Sequence, residues 1–294
     1  MKGTVGIGTP TTSPWYSRMM PVGAIKQKIG NNGLMAGEGP AGRAISLEPS
    51  RLLRFAVVLA MALVLSGCAK SYRYKLTIAV NTPEGIKRGS SVGEVSFWSV
   101  WIPASGIAHQ LHGQALYLDL GPGKRPLIAL VTNRLRSYYG WTHDAGPNPE
   151  LMSSLYGIAP SHDLMETVVR ITRQRGPHKI TPDQAPDLVT FDDVNDPRSV
   201  IQINPDDLQA TLGPNITWNE TTLEVTDDPV SEGIEQKLPW MPYYACTMLD
   251  GDQTYRGKTL ANTLSTADFE VGAKSKSSDY SCSSSPREWQ QRRG

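Results

Sequence analysis

Three cysteines, at positions 68, 246 and 282, are the side chains with the most readily assigned chemistry in this 294-residue chain. The first of them, Cys68, follows an unbroken apolar run from Phe55 to Leu65 and then the two small residues Ser66 and Gly67. A helix that crosses a membrane needs about 20 apolar residues, so this run is too short to span one. Its length is instead typical of the hydrophobic segment of a signal peptide.

The charge and the end of this run fit the same interpretation. Arg51 and Arg54 stand just before it and supply the positive charge that a signal peptide carries on its cytoplasmic side. We therefore interpret residues 51–67 as a signal peptide that is removed from the mature protein.

The four residues Leu65-Ser66-Gly67-Cys68 resemble the lipobox of bacterial lipoproteins. The resemblance implies that a signal peptidase recognises Leu65, Ser66 and Gly67, cuts before Cys68, and leaves a diacylglyceryl group on the thiol of that cysteine. The partner would then be a lipid bilayer. Ala69, where an Asp would favour inner-membrane retention, favours the periplasmic face of the outer membrane over the inner membrane.

Two features of the sequence leave alternatives open. A buried apolar helix with an incidental cysteine would also explain the run, although not the coincidence of charge, length and small residues. In addition, residues 1–50 precede the signal, are rich in Gly, Pro, Ser and Thr, and lack apolar periodicity. We expect this extension to be disordered or wrongly assigned, with translation starting at Met35 or near Leu52.

Cys246 and Cys282 remain once Cys68 is modified. An exported protein lies in an oxidising compartment, where two remaining cysteines commonly form a disulfide. We predict a Cys246–Cys282 disulfide, with two free thiols as the alternative. Three cysteines without a CxxC pair cannot form a four-cysteine zinc site.

The charge of the chain argues against nucleic-acid binding. Seven basic and two acidic residues precede Cys68, whereas 22 basic and 26 acidic residues lie from Cys68 onward. The exported part is therefore mildly acidic and lacks the concentrated basic face that nucleic acid requires.

The five histidines and their acidic neighbours are the candidates for catalysis or metal binding. The His143-Asp144 pair would serve an envelope hydrolase acting on peptidoglycan or lipid, but no G-x-S-x-G nucleophile motif is present. His109 and His112 lie three residues apart in a strand-like segment, and a metal site needs three or four convergent ligands. The sequence therefore assigns no catalytic, cofactor-binding or metal-binding residue, and we expect no cofactor.

Three acidic segments could attract calcium or could simply form turns. They contain Asp192, Asp193 and Asp196; Asp227 and Asp228; and Asp250 and Asp252. None matches a calcium-loop motif. We interpret them as turns and helix caps, because an Asp side chain readily accepts nearby backbone N–H groups.

The pattern of apolar residues predicts an α+β fold: an antiparallel β-sheet with a few short helices in a single domain over residues 74–272. Residues 68–73 are expected to be the lipidated cysteine and its tether, and residues 273–294 a low-complexity, loose tail. The predicted strands are 74–80, 93–101, 113–120, 126–132, 188–191, 200–203 and 216–225, the first four as a meander. The predicted helices are 149–156, 163–173, 205–211 and 228–237.

The aromatic side chains and a sequence resemblance both bear on the function that we expect. The aromatic side chains fit either the core or a contact surface for an envelope protein or a glycan: Trp98, Trp101, Tyr138, Tyr139, Trp141, Trp240, Tyr243 and Tyr244. The segments GIKRGSSVGEV, FDDVNDPRSVIQI and LEVTDDPVSEGIEQKLPW are similar to segments of uncharacterised proteobacterial lipoproteins. We therefore expect a lipid-anchored envelope protein that is a non-enzymatic binding or structural module, with the envelope hydrolase as the alternative.

Overall fold

The structure is a computed structural model, and it describes residues 69–99, 106–135, 141–142, 146–159, 161–272 and 285–293. The described part contains twelve β-strands: β1 Lys70–Thr82, β2 Gly85–Ser99, β3 Ile107–Gln114, β4 Leu116–Leu118, β5 Leu127–Ala129, β6 Trp141–Thr142, β7 Gly146–Pro147, β8 His178–Lys179, β9 Leu188–Phe191, β10 Val200–Gln202, β11 Thr217–Val225 and β12 Glu270–Val271. It also contains five α-helices: α1 Pro149–Leu155, α2 Leu164–Thr172, α3 Leu208–Leu212, α4 Leu260–Thr263 and α5 Pro286–Arg293. The predicted α+β class is confirmed.

A six-stranded antiparallel sheet forms one layer, with strand order β12-β3-β2-β1-β11-β8. The long hairpin of β1 and β2 lies at its centre, with Lys70 paired to Phe97 and Thr82 to Gly85. Strand β1 begins at Lys70, earlier than the Tyr74 that the sequence predicts. The tether expected over residues 68–73 is thus mostly strand.

A second, four-stranded antiparallel sheet with order β10-β9-β5-β4 forms the middle layer. The predicted four-strand meander is therefore wrong in part, since only β1, β2 and β3 follow one another in the first sheet. The chain leaves that sheet at Ala115, whose backbone N–H donates to the carbonyl of Phe269 at 2.7 Å. The single strand predicted over residues 113–120 is divided at this point.

Two apolar cores lie on opposite faces of the four-stranded sheet. The first is filled by one face of the six-stranded sheet, by helices α1 and α2, and by alternate residues of β5 and β9 such as Leu127 and Leu188. The second lies beneath the segment between Ile234 and Phe269 and receives the intervening residues, such as Ile128 and Val189. Alternation along a strand therefore places its side chains in two different cores.

The helices that border the first core have well-formed N-terminal caps. The side chain of Asn148 accepts from the N–H of Leu151 at 2.8 Å, and Pro149 begins α1. The side chain of Asp163 accepts from the N–H of Met165 at 2.8 Å at the start of α2. Both helices match the ranges that the sequence predicts, from Pro149 in the first turn of α1 and from the apolar spacing of α2.

Two predictions near the C-terminus are wrong. The helix expected over residues 228–237 is a loop followed by a 3-10 helix at Ile234–Gln236, because Ser231 hydrogen-bonds the backbone of Val92 on β2. The tail expected to be loose contains α5. The remaining tail residues, 273–284, lie outside the described residues.

Candidate functional site

The residues that carry the predicted lipid attachment, Leu65, Ser66, Gly67 and Cys68, lie outside the described residues. The described chain begins at Ala69, and β1 begins at the next residue. The start of β1 is therefore the part of the fold that bears on this site.

The start of β1 lies at one end of the six-stranded sheet, which we call the β1-start end. Here β1 begins at Lys70, β2 ends at Ser99, β3 begins at Ile107 and β11 ends at Val225. A polar cleft of about 230 Å³ opens at this end, and its polar lining residues are Ser71, Arg73, Glu94, Thr172, Thr226 and Asp227.

Charges at the β1-start end are largely paired with one another. Arg73 donates from Nε to Oε2 of Glu94 at 2.7 Å, and Arg175 lies 2.6 Å from Asp227. Lys75 donates to Asp228 at 3.0 Å, and this bond holds the pKa of the Asp228 carboxyl below its usual value. Such solvent-exposed pairs contribute little to stability.

Cys246 is disulfide-bonded in the structure. It follows the 3-10 helix at Met241–Tyr243. Cys282 lies outside the described residues, so its pairing with Cys246 stays a prediction.

The described histidines do not converge. His109 and His112 lie on β3 three residues apart, and an odd spacing along a strand directs side chains to opposite faces. His178 lies on β8, where its ring packs edge-on against Tyr156 at 4.3 Å between centroids. His162 precedes α2. His143 lies outside the described residues, and the described residues contain no group of three or more His, Cys, Asp and Glu side chains that could hold a metal ion.

A cleft between α1 and α2 brings hydroxyl, imidazole and carboxylate groups near one another. It measures about 440 Å³ and is lined by Ser153, Ser154, Ser161 and His162 among others. Ser161 donates directly to Glu166 at 2.7 Å, and Glu166 also pairs with Arg170. These two bonds hold the pKa of Glu166 below its usual value, which makes it a weak base for activating a serine.

The carboxylates of the acidic turn that includes Asp192, Asp193 and Asp196 are paired with arginines. Arg198 binds both oxygens of Asp196, each at 3.0 Å, and this bond holds the pKa of Asp196 below its usual value. Arg125 pairs with Asp192, and Arg293 of α5 pairs with Asp193. Carboxylates that are already neutralised in this way form a turn, as the sequence predicts, and not a calcium loop.

The turn that contains Asp250 and Asp252 is closed by local hydrogen bonds. Asp250 accepts from the N–H of Asp252 at 2.9 Å and from the side chain of Asn262 at 2.9 Å. Asp252 pairs with Arg256 at 3.1 Å. This arrangement again matches the predicted turn.

A buried carboxylate that the sequence analysis missed lies between the middle sheet and the C-terminal segment. Asp268 is fully buried; one oxygen accepts from Thr132 at 2.6 Å and lies 2.8 Å from Arg134, and the other accepts from the N–H of Ser265 at 2.8 Å. Its oxygens are occupied by partners from two segments, so it joins those segments. The polar triplet Thr132-Asn133-Arg134 directly after an apolar strand is the signal that could have indicated it.

Two buried polar residues, one after β5 and one on β9, lack hydrogen-bond partners for their side chains. Asn133 is 2% exposed, and neither its amide nitrogen nor its amide oxygen is bonded. The hydroxyl of Thr190 on β9 is also buried and unbonded. Such groups cost about 1–3 kcal/mol each and are uncommon in folded proteins.

The aromatic residues proposed for a contact surface separate into different environments. Trp240 and Tyr244 are buried in the second core. Tyr243 packs against Trp289 of α5, with ring centroids 5.3 Å apart. Trp98 is half-buried on β2, and Trp101, Tyr138 and Tyr139 lie outside the described residues. Of the described aromatic side chains in this set, Trp240 and Tyr244 thus serve the core and Tyr243 serves the docking of α5.

Among the residues that the structure describes, no helix has the length and apolarity needed to cross a membrane. Comparison of the chain with models of protein families, with curated proteins and with solved structures gives no match.

Proposed function

We propose that this chain is a membrane-anchored envelope lipoprotein whose folded domain is a non-enzymatic binding or structural module. One observation carries the proposal: the described fold begins at Lys70, two residues after Cys68. A cut before Cys68 would therefore remove no residue of the described fold. It would leave the modified cysteine next to the first strand.

The physical basis of the anchor is the burial of acyl chains in the bilayer. Each buried CH₂ contributes about 0.8 kcal/mol, and a single chain gives only reversible binding. A diacylglyceryl group on Cys68 supplies two chains, which is enough to hold a water-soluble domain at the membrane for long periods. The proposed location is the cell envelope, with the periplasmic face of the outer membrane favoured by Ala69.

The partners of the carboxylates and of Ser161 support the non-enzymatic character. The described carboxylates in the acidic turns are held by arginines, lysines or backbone N–H groups. In the cleft between α1 and α2, Ser161 donates to a carboxylate whose pKa is lowered. Neither arrangement provides the activated nucleophile and matched base that hydrolysis needs.

The test is mass spectrometry of the mature N-terminus purified from membranes of the host. The expected N-terminal residue is Cys68 with acyl chains attached. A Cys68→Ala variant should lose the acyl mass and move from the membrane to the soluble fraction, whereas the neighbouring Ala69→Ser variant should keep both. A wild-type protein that retains residues 51–67 and an unmodified Cys68 thiol would overturn the proposal.

A further inference from the structure

The β1-start end of the sheet stands in a fixed relation to the attachment point. Two residues of extended chain span at most about 7 Å, so the α-carbon of Cys68 lies no farther than this from that of Lys70. No flexible linker separates the proposed lipid from the strand. The domain cannot drift far from the bilayer or turn freely above it.

We propose that the β1-start end lies against the lipid headgroups and that the six-stranded sheet stands upright on the membrane. This inference rests on the proposed lipidation of Cys68. Strand β1 continues from Lys70 to Thr82, a rise of ~40 Å at ~3.3 Å per residue. The hairpin turn between β1 and β2 is therefore the part of the sheet farthest from the membrane.

The elements at the β1-start end determine which residues meet the headgroups. Helix α2 ends here, because Thr172 lines the same cleft as Ser71 and Arg73. The exposed Arg173 follows it. Lys70 and Arg173 have no carboxylate partner among the described residues, and they are available to lipid phosphates.

The charge balance at this end indicates what kind of lipid surface it fits. Most of its cations are already paired: Arg73 with Glu94, Lys75 with Asp228, and Arg175 with Asp227. The two unpaired cations are too few to hold a protein at an anionic surface without its acyl chains. The end therefore suits a mixed zwitterionic and anionic surface to which the lipid anchor has already delivered the domain.

The contact is tested with the acylated mature protein, which begins at Cys68, in vesicles that carry a quencher on the lipid headgroup. A fluorophore is attached through an unnatural azide residue at position 173, or at position 84 in the hairpin turn as the matched control. The acyl mass on Cys68 is checked by mass spectrometry and vesicle flotation is measured first, so that a failure of the lipid anchor is separated from a wrong orientation.

In floated vesicles the fluorophore at position 173 should be strongly quenched and the one at position 84 should not. Insertion of ten Gly and Ser residues between Ala69 and Lys70, a flexible span of ~17 Å, should reduce quenching at position 173 without releasing the protein. Equal quenching at the two positions, stronger quenching at position 84, or quenching at position 173 that the insertion leaves unchanged would overturn the proposed orientation.

Discussion

The two large sheets of this domain differ in how many of their faces are buried. The six-stranded sheet has one apolar face, which begins with Tyr72 and Leu76 on β1, and one charged face. The charged face carries ion pairs such as Arg88 with Glu220 and Lys75 with Glu224. The four-stranded sheet has a core on each face, and all four residues of β9 are buried.

This difference changes how much stability is lost when a polar group in each sheet loses its partner. On the charged face water screens every pair, and the loss of one partner leaves the other hydrated. Around the four-stranded sheet a buried polar group depends on protein partners, so it is either hydrogen-bonded, as Asp268 is, or left unbonded at a cost in stability, as the Thr190 hydroxyl is. The same type of residue should therefore respond differently to mutation in the two places.

The largest effect should come from the second core. Trp240 is fully buried, packs against Phe191 and Phe269, and donates from its indole to the carbonyl of Val194 at 3.0 Å. Trp240→Ala should lower the free energy of unfolding by about 3–5 kcal/mol, measured by urea denaturation. Tyr255→Ala, at a side chain that is 63% exposed, is the control and should change it little. A small loss for Trp240→Ala would mean that the second core is loosely packed.

The next effect concerns the buried carboxylate. Asp268→Ala removes the partner of Arg134 and Thr132 and the acceptor for Ser265. We expect a loss of about 3 kcal/mol, because the buried Thr132 hydroxyl, the partly exposed Arg134 and the N–H of Ser265 all lose their acceptor. Asp228→Ala, which removes the exposed partner of Lys75, should leave the free energy of unfolding unchanged. Both variants are compared with the wild type by thermal unfolding. Equal losses for the two variants would contradict the distinction between the sheets.

Thr190 offers a test with the opposite sign. Thr190→Val keeps the shape of the side chain and removes a buried hydroxyl that has no partner. The variant should be more stable by about 1 kcal/mol, because an unsatisfied polar group is replaced by an apolar one. Thr77→Val, on the charged face of β1, should show no such gain. A destabilised Thr190→Val protein would indicate that the hydroxyl is bonded in solution.

The smallest expected effect is on the ion pair between Arg198 and Asp196, and its size should depend on pH. The bond from Arg198 lowers the pKa of Asp196 in the folded state, so the stability from this pair is complete above the unfolded pKa of about 3.9 and is lost as the pH falls through the folded pKa. Asp196→Asn should cost at most about 1 kcal/mol at pH 7. The difference from the wild type should shrink below about pH 4 in a series of urea titrations, and a difference that grows on acidification would be inconsistent with the pairing.

The sequence was informative where one local pattern decides the structure. The spacing of Leu164, Val168 and Ile171 after a capping Asp predicts α2, and the apolar run from Leu127 to Val131 predicts a strand buried on both sides. Alternation along β1 predicts its inner face. These elements form because their own residues favour them.

Other features depend on distant partners and could not be predicted in this way. Ser231 pairs with β2 rather than lying in the first turn of the helix predicted over residues 228–237, and α5 is held by Tyr243 and by Asp193. The surroundings of Asp268 likewise combine residues from two remote segments. The candidate attachment site was the reverse case, since a local motif predicts it while its position next to β1 came only from the fold.

The place of β1 in the sheet has a consequence for biogenesis. One edge of β1 is covered by its neighbour β2, but the other pairs with β11, as Tyr74 does with Val225. If the chain is exported as we propose, and its N-terminal part crosses the membrane first, β1 and β2 emerge long before β11 does. The hairpin must wait with an unfilled edge, and such edges invite aggregation, so the nascent domain should depend on holding chaperones until its closing strand arrives.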